Sequence, residues 1–171
     1  MSKQKRPSTD LESLMDMLAS KDGMIRQTAR KSLVALGKPA VPSLAYALRN
    51  SKSDQVRWEA AKALGAIGDT RSIPPLVKAL VDTDHDVAWL AAVALSKFKK
   101  AAWSPLLRAL MKAGPDSVPL RQGAHHVLLH QSEAGFNDLL ATLIKALEPG
   151  AAPGSTTVAA YETLQRMKAR A

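Results

Sequence analysis

Cysteine is absent from these 171 residues, which excludes a disulfide framework, a thiolate metal site and a cysteine nucleophile. Aromatic residues are scarce, at 4% against a hydrophobic content of 46%. Alanine and leucine therefore carry the burial, which suits closely stacked helices better than a sheet. Long apolar runs are missing as well, and no uninterrupted stretch approaches the ~20 residues that cross a bilayer. The opening residues, Met1 to Thr9, are charged and polar and lack the apolar core of a secretory leader. These absences lead to the expectation of a soluble cytoplasmic protein with no membrane partner. They also suggest one domain, 10–171, behind a disordered basic leader at 1–9. No glycine-rich phosphate loop and no paired-carboxylate arrangement stands out, so no cofactor and no enzymatic activity are expected.

The net charge of +9 invites a nucleic-acid reading, but its distribution weakens that reading. Lys3, Lys5 and Arg6 lie at one end and Arg166, Lys168 and Arg170 at the other, leaving three net positive charges for the body. An electrostatic footprint for phosphates requires clustering on one face.

What is present is a repeat. Residues 54–68 form a short helical pattern ending in glycine, and Val56 has counterparts 31 residues away on either side, at Ile25 and Val87. Each is followed four residues later by Ala29, Ala60 or Ala91 and eight residues later by Leu33, Leu64 or Leu95. Looser copies run Leu120, Ala124, Leu128 and Thr156, Ala160, Leu164. A period of this length predicts stacked helical units, each too small to bury its apolar face alone.

The chain order supports the same division. Asp10 is placed to cap a first helix over 11–19, followed by a second from about Asp22 to Leu36, stopped by Gly37. Val41-Pro42-Ser43-Leu44, Ile73-Pro74-Pro75-Leu76 and Trp103-Ser104-Pro105-Leu106 each open a first helix, with proline in the first turn, where its missing N–H costs nothing. Asp22, Ser53, Asp84 and Ser117 precede the second helices as candidate caps. The units fall at about 10–37, 38–68, 69–99, 100–132 and 133–171. Glu148 to Gly154 links the last two helices and is expected to be the most mobile internal loop. The final helix, from about Ser155, serves as a polar cap on the stack.

The segment Asp54-Gln55-Val56-Arg57, Ala60-Ala61, Ala63-Leu64-Gly65 and Ile67-Gly68-Asp69, followed by Ile73-Pro74 and Leu76 to Leu80, resembles the short bacterial HEAT repeat, the variant named after phycobilisome lyases. The resemblance covers about 11–147 and is strongest in the second and third units. It implies an all-α fold, a right-handed α-α superhelix of about five helical hairpins. It also implies that the second helix of each pair lines the concave side. The iron hydroxylase of this repeat class places His-Glu pairs where this chain has Gln27-Thr28, Trp58-Glu59, Trp89-Leu90 and Gln122-Gly123, so its imidazole ligands are missing. His126 and His130, four apart on a helix, with Glu133 beyond, make the one metal candidate, and two imidazoles fall short of the usual three or four protein ligands.

On the implied concave face, Gln27, Trp58, Trp89 and Gln122 share one repeat position. Arg30, Lys31, Lys62 and His125 border them. The expectation is a protein- or peptide-binding scaffold anchored on the two tryptophans, since exposed indoles are frequent hot spots. A nucleic-acid-binding or base-repair scaffold is the alternative, and a chromophore-lyase accessory subunit, implied by the resemblance alone, is the third. Arg26, Arg57 and Arg121 form a further row, which the resemblance pairs with aspartates such as Asp22, Asp54 or Asp86.

Overall fold

Side chains accepting from free backbone N–H groups start the second helices. Asp22 accepts from Met24 N at 2.8 Å, Ser53 Oγ from Val56 N at 3.4 Å and Asp84 from Val87 N at 3.0 Å, each satisfying a donor that has no intrahelical partner. Ser117 takes the same position without a side-chain bond. Asp10 caps the first helix through Ser13 N at 2.8 Å.

The computed structural model describes residues 10–114, 117–152 and 154–170. They form ten α-helices and, among the described residues, no strand: α1 (Leu11–Met17), α2 (Gly23–Leu36), α3 (Val41–Asn50), α4 (Asp54–Ile67), α5 (Ile73–Ala79), α6 (His85–Lys97), α7 (Lys100–Ala113), α8 (Val118–Leu128), α9 (Asn137–Leu147) and α10 (Ser155–Ala169). A single 3₁₀ turn, Lys38–Ala40 or Thr70–Ser72, leads into α3 and α5. The expected leader at 1–9 lies outside the described residues, as does Pro153 of the expected mobile linker.

The helices stack in two layers. The second helices α2, α4, α6 and α8 lie against one another in sequence order, and α3, α5 and α7 make the facing layer. The step between second helices is made by Ala29, Ala60, Ala91 and Ala124, all fully buried. Beside them Leu33, Leu64, Leu95 and Leu128 are equally sealed, each worth about 2 kcal/mol of burial. One continuous apolar core runs from Leu14 to Leu164, giving the α-solenoid that the repeat predicts.

Three expectations are corrected. The fifth unit does not add its helices in the order of the others: α9 packs against α8, and α10 against α7 and α9. The last hairpin thus enters with its layers exchanged. Phe136, 1% exposed, fills the space beside Trp103 with ring centroids 5.8 Å apart. The buried Thr156, Ala159, Ala160 and Thr163 give α10 a narrow side that closes on its neighbours. Next, α7 begins at Lys100 rather than at Trp103, so Pro105 lies inside the helix, because the turn that leads into α3 and α5 has here become the helix's first turn.

The arginine row exists, but its partners are not the helix-start aspartates. Arg57 donates from Nε and Nη2 to Asp82 at 2.8 and 2.9 Å and from Nη1 to the Ser51 carbonyl at 3.0 Å. Arg26 reaches the Ser20 and Lys21 carbonyls, and Arg121 those of Ala146 and Glu148. A guanidinium at the first turn points past its own helix start toward the neighbouring connections, where carbonyls lack helical partners.

Candidate functional site

Because α2, α4 and α6 stack with their N-termini at the same edge, equivalent side chains gather along one face. There the chain forms a groove of about 500 Å³, lined by Arg26, Gln27 and Arg30 of α2, Gln55, Trp58, Glu59 and Lys62 of α4, and the carboxylates Asp54, Asp84 and Asp86.

Glu59 organises this groove. It is 3% exposed, and a buried carboxylate requires partners. Arg30 Nη1 donates to its Oε2, Arg26 Nε approaches its Oε1 at 3.4 Å, and Gln55 Nε2 lies 3.5 Å from the same oxygen. The half-buried indole of Trp58 packs on the core through its body. Lys62 Nζ stands 4.5 Å and Arg30 Cζ 5.8 Å from its ring centroid, within cation–π range. Each of these cations faces a carboxylate or a π-face, which leaves less of their charge for a polyanion.

Trp89, at the same position one unit on, is 55% exposed. Its ring centroid lies 4.1 Å from that of His126, with the planes tilted by 47°. Burial, followed by the like charges of His130 and His125, holds the His126 imidazole below its ordinary value.

Four of the residues singled out from sequence, Gln27, Arg30, Trp58 and Lys62, come together in the groove. Trp89 stands outside it as an exposed ring, while Lys31 and Gln122 are exposed on the same layer and His125 is half-buried beside His126. Sequence reasoning named Asp54, Asp84 and Asp86 only as helix caps or arginine partners, and it missed Glu59 and the contact of His126 with Trp89. Glu59 had a signal: it is the one carboxylate in a column otherwise occupied by Thr28, Leu90 and Gly123. Glu133 is held by Lys100 Nζ at 3.0 Å. Among the described residues no three histidines or carboxylates gather closely enough to hold a metal ion, and no described helix is long and apolar enough to cross a membrane.

Tandem helical hairpins in two layers, with an open groove along the second, define an α-solenoid scaffold. The family model for HEAT repeats matches residues 41–128, more than half of the sequence, and the chain belongs to the HEAT-repeat family. It is also 39% identical over 69 residues to the bilin biosynthesis protein MpeU of Synechococcus sp. (strain WH8020). That match takes in 39% of this chain and 23% of the relative, so the chain spans under a quarter of that protein's length. The likeness overturns the expectation of a chain outside enzymatic chemistry, because these repeats are shared with a protein of a biosynthetic route.

Proposed function

We propose that this HEAT-repeat scaffold uses its second-helix face to hold a segment of a partner protein, with Trp89 as the principal anchor and the groove around Trp58 as its continuation. The observation that carries the reading is the exposed indole of Trp89, braced by His126 at 4.1 Å, one repeat away from Trp58 at the equivalent position. A large, rigid, half-supported aromatic offers contact area at little entropic cost, which is why tryptophan dominates interface energetics. Gln27, Gln122 and Lys31 would form the polar rim of such an interface. Capturing partners on the immobilised chain and re-measuring their affinity with Trp89→Ala and Trp58→Ala tests this. Unchanged affinity in both variants would falsify it.

A second reading is favoured by the likeness to a bilin biosynthesis protein together with the groove's chemistry. An open-chain tetrapyrrole is flat and conjugated, carries carboxylates and presents pyrrole N–H donors. Trp58 offers an aromatic face, Lys62 offers an exposed ammonium beside it, and Asp54, Asp84 and Asp86 offer acceptors along one groove. In this reading the chain takes part in bilin processing. Titration with biliverdin, followed by the chromophore's visible absorption, decides it: a saturable spectral change that Trp58→Ala abolishes supports the reading, and an unaltered spectrum removes it.

A further inference from the structure

Beyond the groove around Glu59, a second concavity of about 440 Å³ opens where the end of α6, the connection to α7 and the last turn of α8 meet. Ser96, Lys97, Lys99, His126, His130 and Gln131 line it. Every ionisable side chain on this wall is cationic or becomes so on protonation. The nearby carboxylate of Glu133 is already engaged by Lys100. Gln131 Nε2 donates to the Ser96 carbonyl at 2.9 Å and ties the exit of α8 to that of α6, so the frame of the pocket is fixed.

The backbone at Lys99 carries the argument. Residues 37, 68 and 99 are spaced by the repeat and follow the second helices of three successive units. Glycine fills the first two, at φ +68° and +69°. Lys99 has φ +49° and ψ −135°, close to the φ +68° and ψ −133° of Gly37. It is the one non-glycine residue of positive φ among those described. A Cβ is disfavoured in this region, and strain of this kind persists where a side chain has a task. Gly37 makes this turn without a Cβ, Gly68 makes an ordinary left-handed one at ψ +19°, and the third unit places a lysine there, on the wall of a cationic pocket.

We propose that this pocket is a binding site for a phosphate-class oxyanion, with Lys97, Lys99, His126 and His130 converging on one anionic group. Ammonium and protonated imidazole groups donate charge-assisted hydrogen bonds to such an oxyanion. His126 has His130 and His125 as its nearest ionisable neighbours and the ring of Trp89 against it, and Lys97 and Lys99, from the end of α6 and its connection, line the same pocket. None of them is a counter-charge, and burial, followed by His130 and His125, lowers the affinity of His126 for a proton. A bound dianion supplies what these groups lack.

The test is a titration of the full chain with inorganic phosphate at constant ionic strength, against sodium chloride, read from the ring resonances of His126 and His130. Saturable shifts are expected, with the His126 titration moving to higher pH. Lys99→Gly separates charge from strain: phosphate affinity falls about tenfold, while the melting temperature holds or rises. Two sources share this chemistry, and phenyl phosphate distinguishes them. Tighter saturation than by inorganic phosphate points to an ester on a larger molecule, and equal or weaker saturation to the free ion. Shifts that grow linearly, that chloride reproduces, or that Lys99→Gly leaves intact would overturn the proposal.

Discussion

Trp89 and His126, on adjacent second helices, pack with ring centroids 4.1 Å apart and planes tilted by 47°, so the most exposed indole of the chain rests against an imidazole of the next unit. Trp89 stands one repeat beyond Trp58, outside the groove, and His126 also lines the pocket beside Lys97 and Lys99. A change in the charge of His126 therefore reaches both the exposed indole and that pocket.

The pH dependence follows with a definite sign. His126 binds its proton less readily in the folded chain than at the ordinary value of 6.5, chiefly because it is buried. The unfolded chain then binds more protons, and stability rises with pH across that window. The contribution is fully present above 6.5 and is lost as pH falls through 6.5 toward the lowered folded value. Urea denaturation at pH 5 and pH 8, with His126→Asn as the control, should show a slope that the variant flattens.

Glu59 supplies the strongest electrostatic prediction. Its side chain is 4% exposed and is shared by Arg30 and Arg26, themselves 13% and 18% exposed. Glu59→Ala strips both guanidiniums of their counter-charge, and removing one partner of a buried pair costs about 3 kcal/mol. The urea midpoint should fall by that equivalent without a change in slope. A loss under about 0.5 kcal/mol would put this pair among exposed surface ion pairs.

Gly65 yields a prediction against the usual rule. Alanine for glycine inside a helix ordinarily stabilises by about 1 kcal/mol. Here a Cβ would stand 2.6 Å from the Cβ of Ala94 and 3.2 Å from its Cα, which forces α4 and α6 apart. Overpacking of this kind costs about 1–3 kcal/mol, so Gly65→Ala should lower the melting temperature. A rise would show that the two helices can separate freely.

Much of the fold was legible because the repeat writes the same physics several times. The buried Ala29, Ala60, Ala91 and Ala124 and the capping Asp22, Ser53 and Asp84 each stand at a fixed offset from the register residue. The exchange of α9 and α10 was not legible. Thr156, Ala160 and Leu164 keep the repeat's spacing, and spacing along a helix does not say which neighbour its buried side will meet. Glu59 was hidden for a related reason: its partners Arg30 and Arg26 sit 29 and 33 residues away, and only the stacking of α2 on α4 brings them together. Lys99 could have been noticed, since counting 31 residues from Gly68 lands on it. Its meaning depends on the backbone angle.

Whether Trp89 anchors a partner is decided by the affinity of a captured partner protein for Trp89→Ala beside the wild-type chain, with melting temperatures recorded for both. A loss of about 30-fold is expected, the scale of a hot-spot residue, with little change in melting because the residue is more than half exposed. Wild-type affinity in that variant, or a loss that only follows a collapse in stability, would contradict it.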